Sequence, residues 1–210
     1  GGGRTGAGTA GDIDAEPRRT FFAAVDAANV DLKGFSERFY QQHTGSHLAP
    51  VLDTLQHIRH ESGCWLEITT LLIPGANDST AELEALTRWV HDALGADVPL
   101  HFTAFHPAHR MTDVERTPAQ TLQRAREIGR AQGLQHVYTG NVHDAAGGTT
   151  GCTGCGAALI TRDWHTVTAY TLDTTGACPH CGTRLAGRFG RGLDTGTRGP
   201  RRVPLRLNTA

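Results

Sequence analysis

Lysine is nearly absent from this chain. Among 20 basic residues it occurs once, at Lys33, so arginine carries the positive charge elsewhere and the single ammonium is marked as a candidate for chemistry. Long apolar runs are missing too. None approaches the ~18 residues that a membrane span needs, and the N-terminus lacks a charged-then-apolar signal pattern, which excludes a helical membrane protein and leads us to expect a cytoplasmic one. Aromatic residues make up only 6% of the chain and no basic stripe follows any expected element, which argues against nucleic acid as a partner. A net charge of -1 gives no reason to expect an acidic surface as partner either. It hides one asymmetry: six arginines follow Gly187 (188, 191, 198, 201, 202 and 206) against the lone Asp194.

What is present suffices for one good core, and 210 residues suggest about one to two domains. Residues 1–11, GGGRTGAGTAG, are low in complexity and carry no apolar pattern, so they are expected to be disordered or a ragged end. A short helix is expected from Pro17 to Ala24, and Ala27 to Lys33 reads as a buried strand ending in charge. Leu48, Val51, Leu52, Leu55 and Ile58 recur at helical spacing, so His47 to Glu61 is an amphipathic helix. Trp65 to Ile73 is a nearly unbroken apolar and β-branched run, expected to be a strand covered on both faces. Pro74-Gly75 stops it, and Ser79 with Glu82 forms a capping box for the next helix, which carries Leu83, Leu86, Val90 and Leu94. Pro99 to Phe105 is a third strand. Thr117-Pro118 with Gln120 caps a third long helix, and Gln135 to Gly140 is a fourth strand. Strands alternating with helices make a parallel sheet. Four strands are either a small three-layer sandwich or a barrel with part missing, and in the second case the strand edge along Ala27 to Lys33 would lie open.

From Gly147 the composition turns to glycine, threonine and cysteine, which marks a small second module. Cys152-Thr-Gly-Cys155-Gly156 is followed by Cys178-Pro-His-Cys181-Gly182. A two-residue gap brings both sulfurs to one side of a tight turn, and two such knuckles make a tetrahedral four-thiolate site of the zinc-ribbon kind, with a hairpin of Ala157 to Arg162 and Thr166 to Leu172 between them. A third strand is expected after Gly182. Zinc is the expected metal, with iron, an auxiliary iron-sulfur cluster and a pair of disulfides as the alternatives. The fifth cysteine, Cys64, has no partner in spacing and reads as a buried core thiol.

Asp31 and Lys33 lie two apart on one strand and so point to the same side at its carboxyl end. His106 follows the third strand in the same relative place, and Thr69 lies within the central strand. Each alone reads as a surface or structural residue. Together they put polar groups on three neighbouring strands at one rim, where α/β proteins bind small molecules.

The stretches DAANVDLKGF, FY-x3-TG-x-HL (Phe39 to Leu48), EITTLLIPGANDS, HFTAFHPAHRMTD and YTGNVHD, with the paired CxxCG knuckles, resemble the radical SAM protein of the AmmeMemoRadiSam system, a family itself similar to pyruvate formate-lyase activating enzymes. The resemblance runs from about Thr9 to Gly190. It implies a partial (βα) barrel in which a [4Fe-4S] cluster reductively cleaves S-adenosylmethionine to a 5'-deoxyadenosyl radical, acting on a substrate that stays open and includes proteins. It also implies that Asp31 and Lys33 match a fourth-strand contact to S-adenosylmethionine, that Thr69 falls where a fifth-strand contact lies although its residue type differs, and that His106 matches a sixth-strand contact. Such proteins hold the cluster with Cys-x3-Cys-x2-Cys after the first strand, and this sequence has no such triplet. The family's third strand should end near Thr9-Ala10-Gly11, so the chain is expected to be a carboxyl-terminal piece that lacks the cluster half and is inactive alone.

The expected fold is therefore α/β: the carboxyl-terminal half of a TIM-like radical SAM barrel over residues 12–146, a four-cysteine zinc-ribbon-like module over 147–190, and a basic disordered tail over 191–210. The rival reading is a non-catalytic fragment or degenerate relative whose ribbon mediates protein or nucleic-acid interaction.

Overall fold

The computed structural model describes residues 4–109, 111–164 and 166–189. Five parallel strands lie side by side in chain order: β1 (Gly6–Thr9), β2 (Ala27–Asp31), β3 (Trp65–Leu72), β4 (Leu100–Ala104) and β5 (Val137–Gly140). Helices α1 (Ala15–Ala23), α2 (Glu37–Phe39), α3 (Leu48–Glu61), α4 (Thr80–Trp89) and α5 (Ala119–Ala131) occupy the connections. Helices α2 and α4 run on into π-helical turns at Tyr40–Thr44 and Val90–Leu94. A strand order that never reverses, joined by crossovers of one hand, stacks every helix on the same face. A three-layer sandwich needs a reversal, so this sheet is a barrel segment with one face under helices and the other open.

The core confirms that arrangement. Val30, Ile68, Leu100 and Phe102 are fully buried against Val51, Leu55 and Ile58 of α3, Leu83 and Leu86 of α4, and Leu122 and Ala125 of α5. Each such side chain is worth roughly 1.5–3 kcal/mol on leaving water. The next residue along each strand turns to the open face, which corrects the expectation that β3 is covered on both sides. Leu66, Ile68, Thr70 and Leu72 are buried, while Trp65, Glu67, Thr69 and Leu71 are only partly so. The run looks continuous because Trp65 and Leu71 are apolar, yet Glu67 and Thr69 share their face, as strand alternation requires.

A second correction concerns the N-terminus. Gly6–Thr9 is a strand, not a disordered run, and pairs with β2 from Gly6↔Ala27 to Thr9↔Val30. Ladder hydrogen bonds use the backbone alone, so a glycine-rich strand shows no side-chain signature. Its entry is fastened by Asp26, whose carboxylate accepts from the Thr5 N–H at 2.8 Å. The edge of β2 is thus covered rather than open. Residues 1–3 of the run lie outside the described residues, as does the expected tail at 191–210.

Helix starts differ in detail from expectation. The Ser79 hydroxyl caps α4 by accepting from the Glu82 N–H, but the Glu82 carboxylate accepts from the Phe35 N–H at 2.7 Å, tying the loop after β2 to α4. Thr117 does not cap α5, where Pro118 occupies the N-cap position. Its hydroxyl accepts from the Phe105 N–H at 2.9 Å and donates to the Leu72 carbonyl at 2.6 Å, closing the gap between the ends of β3 and β4.

The second sheet is antiparallel, with β6 (Thr150–Gly151), β7 (Ala158–Asp163) and β8 (Thr166–Tyr170) in that order. The hairpin is as expected. The third strand, however, precedes it: β6 pairs with β7, and among the described residues after Gly182 the pairing is an isolated bridge, Ala177↔Arg184. Leu159, Leu172 and Leu185 with Cys152 and Cys178 form a small core of its own. This ribbon docks on β5 through Tyr138, whose hydroxyl lies 2.9 Å from Thr150 Oγ1 and whose ring centre lies 5.6 Å from the Arg162 guanidinium, itself held within the ribbon by bonds to Thr150 Oγ1 and the Gly148 carbonyl at 3.0 Å each.

Candidate functional site

Register across the open face puts four polar or aromatic residues in one row: Asp31 opposite Thr69, Thr69 opposite His101, and His101 opposite Tyr138. Four parallel strands thus present Asp, Thr, His and Tyr side chains at one level of the open face: Asp31 ends β2 and Thr69 is midway along β3, while His101 and Tyr138 are the second residues of β4 and β5. The His101 ring stacks on Tyr138 with centroids 5.0 Å apart. Below the row, Glu67 accepts from Trp65 Nε1 at 3.2 Å and lies 2.9 Å from His101 Nε2. Burial raises the Glu67 pKa, but the hydrogen bond and charge of His101, with Trp65 and Arg162, outweigh it and hold the carboxyl below its ordinary value.

At the rim, Lys33 Nζ and the Asp31 carboxylate pair at 2.9 Å with both side chains 40% exposed. Two buried groups set that position. The Tyr40 hydroxyl accepts from the Lys33 N–H at 3.1 Å, and burial pushes its pKa up to about 12, so it stays protonated. Asn77 is buried and donates to the carbonyls of Lys33 (2.6 Å) and Leu71 (2.9 Å) while accepting from the Ile73 N–H at 2.7 Å. The ends of β2 and β3 are therefore locked together by one amide. Thr70 adds a bond from its hydroxyl to the Leu32 carbonyl at 2.7 Å.

Of the four expected binding residues, the structure brings Asp31, Lys33 and Thr69 together. His106 is exposed two residues beyond β4, and its Nε2 lies 3.4 Å from the Asn141 carbonyl on the β5 side. Asn141 has φ 59°, and its amide donates to the Ala104 carbonyl at 3.2 Å, which fixes the turn carrying it. Sequence reading missed Glu67, His101, Tyr138 and Asn77. Alternation from Thr69 would have found Glu67, since residues two apart share a face.

Between this open face and the ribbon lies a cleft of about 940 Å3. Glu67, Thr69, His101 and Tyr138 line its floor, and Arg162 and Trp164 of the ribbon hairpin face them. Trp164 has φ 52° at the hairpin tip and meets His143 edge-on with ring centroids 4.9 Å apart. The volume is that of a small-molecule site.

The cysteines form a separate centre. All four sulfurs lie within 4.8 Å of one another, with Cys152 to Cys181 at 3.5 Å and Cys155 to Cys178 at 3.8 Å. A disulfide is about 2.05 Å long, so these thiols are not paired, whereas sulfurs ~2.3 Å from a tetrahedral zinc stand about 3.8 Å apart. The knuckles repeat one backbone pattern. Cys152 N–H bonds the Ala157 carbonyl and Gly156 N–H the Cys152 carbonyl, as Cys178 N–H bonds the Thr183 carbonyl and Gly182 N–H the Cys178 carbonyl. Gly156 and Gly182 sit at φ 76° and 75°, the left-handed region that this turn demands. The Thr183 hydroxyl and N–H beside Cys181 hold its thiol down to about 6. The Ala157 N–H likewise lowers Cys155, but the neighbouring sulfurs push it up to about 12. Four thiolates this close cannot coexist without a cation, and the site fits a tetrahedral metal. Cys64, by contrast, is a buried thiol next to the start of β3, at the end of the sheet remote from the Asp31–Lys33 rim.

No protein-family model matches the chain. The fold is shared with radical SAM enzymes: a domain of pyruvate-formate lyase-activating enzyme from Bacteroides vulgatus superposes with a TM-score of 0.56 at 13% identity, covering 64% of this chain and 80% of that one. A radical SAM methyltransferase from Sphaerobacter thermophilus superposes at 0.50 with 18% identity, covering 65% of this chain and 40% of that one. In sequence, the chain is 39% identical over 178 residues to the uncharacterized protein MJ0808 of Methanocaldococcus jannaschii. That match takes in 84% of this chain but 52% of MJ0808, so the chain spans about half the length of the relative it matches. Among the described residues no helix is long and apolar enough to cross a membrane.

Proposed function

We propose that the chain is the ligand-binding part of a radical SAM enzyme of the AmmeMemoRadiSam type. In this reading the open face and rim hold S-adenosylmethionine, and residues 147–190 form a zinc-bound ribbon that walls the substrate cleft. The observation that carries it is the row Asp31, Thr69, His101 and Tyr138 across four parallel strands, with Lys33 at the rim. S-adenosylmethionine is zwitterionic at its methionine end and carries ribose hydroxyls. A carboxylate and an ammonium held side by side match both, and Asn77 and Tyr40 keep them in place. His106 completes the rim if it turns from Asn141 towards a ligand. When cleaved by one electron from an iron-sulfur cluster, S-adenosylmethionine supplies a 5'-deoxyadenosyl radical.

The residues of this chain do not fit that cluster. Four of its five cysteines belong to the knuckles, and Cys64 is buried alone near the start of β3. The ligands would come from a segment outside this sequence, and the chain alone is expected to bind S-adenosylmethionine without cleaving it. Four unlinked thiols suit a reducing cytoplasm.

Calorimetric titration of the purified chain with S-adenosylmethionine tests the reading. Binding is expected, and Asp31→Asn or Lys33→Ala should weaken it by about tenfold or more, the loss of one charge-assisted hydrogen bond. Undetectable binding, or binding indifferent to both substitutions, would refute it. Fusing the portion of MJ0808 that this chain does not cover then asks whether cleavage activity appears.

A further inference from the structure

We propose that Glu67 and His101 form a proton-transfer site at the floor of the cleft, acting on a ligand that presents a hydroxyl, thiol or ammonium proton to His101 Nδ1. The inference stands on the cleft alone and needs neither S-adenosylmethionine nor a cluster.

The geometry is that of an oriented base. Glu67 Oε2 lies 2.9 Å from His101 Nε2, and Oε1 is occupied by the Trp65 indole, so the carboxylate is fixed on both oxygens. A carboxylate at Nε2 selects the tautomer with its proton there and leaves Nδ1 as the unprotonated nitrogen. The imidazole is also clamped, stacked on Tyr138 at an interplanar angle of 26°. Nδ1 has no hydrogen-bond partner among the described residues, and His101 lines the cleft.

The charges around the pair favour this use. From β3 comes Glu67, held ionised by its surroundings. From β5 comes Tyr138, whose hydroxyl is engaged with Thr150 and whose pKa burial raises, and just before that strand lies His136, which burial keeps neutral. From the ribbon comes Arg162, its guanidinium 5.6 Å from the Tyr138 ring centre. The next carboxylate along the row, Asp31, is paired with Lys33. Asp144, higher in the cleft, accepts from the Thr139 hydroxyl and the Gly147 N–H. On the floor of the cleft an imidazole therefore faces the ligand with a carboxylate directly behind it. In the forward step the ligand's X–H bond breaks, its electron pair stays on X, and the proton passes to Nδ1. The resulting imidazolium is balanced by Glu67 and later returns the proton to water at the cleft mouth. The reverse direction protonates a ligand anion. A purely structural pair would serve equally with its free nitrogen buried or bonded, which is not what is seen.

Two measurements on the wild-type chain and one on a variant test this. Nitrogen-15 NMR at neutral to mildly alkaline pH should show His101 as the Nε2–H tautomer. Diethyl pyrocarbonate, with peptide mapping by mass spectrometry, should modify His101 from the cleft while sparing buried His136. In Glu67→Gln the amide can donate to Nε2 and favour the other tautomer, so modification should slow by about tenfold or more, with circular dichroism and metal content unchanged. An Nδ1–H tautomer in the wild type, an unreactive His101, or an equal rate in Glu67→Gln would overturn the proposal. Should Glu67→Gln fail to fold, the two wild-type readings decide it. Neither involves S-adenosylmethionine, so failure here and failure of the rim reading are separate results.

Discussion

Beneath the sheet, fully buried Val30, Ile68, Leu100 and Phe102 pack against α3, α4 and α5, whereas the buried core described for the ribbon is three leucines and two of the cysteines. One region can close by burying hydrocarbon; the other has little to bury and carries four cysteines placed to hold a metal. The cleft lies where they meet, with a floor from the sheet and a wall from the ribbon. A site divided this way has a rigid side and a side whose order depends on four thiolates.

The largest effect should therefore follow metal removal. Chelation, or Cys178→Ser with Cys181→Ser, is expected to expose the amides of residues 150–189 to nearly unprotected hydrogen exchange while β3 and β4 stay protected, since structural zinc supplies about 10–16 kcal/mol of apparent binding energy to small metal-dependent modules. Ribbon protection that survives verified loss of metal would break the comparison. Metal analysis of the native chain should find one zinc per chain, and finding iron instead would reassign the centre.

Next in size is Asn77→Ala. It strands one N–H and two carbonyls at the ends of β2 and β3, a cost of about 2–4 kcal/mol by denaturant unfolding. Asn77→Asp should do no better, because a carboxylate cannot donate to the Lys33 and Leu71 carbonyls. Metal content should be unchanged in both, as the ribbon closes by other means; a loss of metal would show the two regions to be coupled.

These residues also show where sequence reading stops. Helices α1, α3, α4 and α5 and strands β2 to β5 were legible because apolar periodicity is a local property, whereas α2 was not read, and the four-cysteine centre was legible because two CxxCG knuckles specify their own turns. Strand β1 was not, since GAGT pairs by backbone alone. Asn77 read as turn chemistry; its reach to Lys33, 44 positions away, is created only by the crossover. His101 and Tyr138 lacked a signal because they are 37 residues apart and become neighbours only through the β4–β5 register. Thr117 looked like a cap because it precedes Pro118, and its real partners belong to two other segments.

A smaller effect concerns acid. Glu67 has its pKa depressed in the folded chain, so its ionised form contributes stability that is full above the ordinary carboxylate value of about 4.5 and is lost as pH falls below it. Glu67→Gln should remove that part of the acid sensitivity of the sheet, followed by the fluorescence of Trp65, whose indole donates to Glu67. An identical acid midpoint in wild type and variant would mean that the carboxylate is unperturbed. Ribbon signals are unsuitable here, since thiolates release metal in acid for their own reasons.

The smallest expected change in stability is at the rim. Asp31 and Lys33 are paired, but each side chain is 40% exposed, and ion pairs so open to solvent contribute about 0–1 kcal/mol after screening and side-chain entropy. Asp31→Asn and Lys33→Ala should therefore unfold within that margin of wild type, and less so at high salt. The same two substitutions carry the largest expected loss in S-adenosylmethionine binding, and that contrast has diagnostic weight. A residue kept for structure loses stability and binding together; one kept for a ligand loses binding alone. If either variant falls by several kcal/mol, the rim pair belongs with Asn77 as part of the frame, and the choice of lysine at this one position in the chain would then be explained by packing around Tyr40 and Asn77 rather than by a ligand.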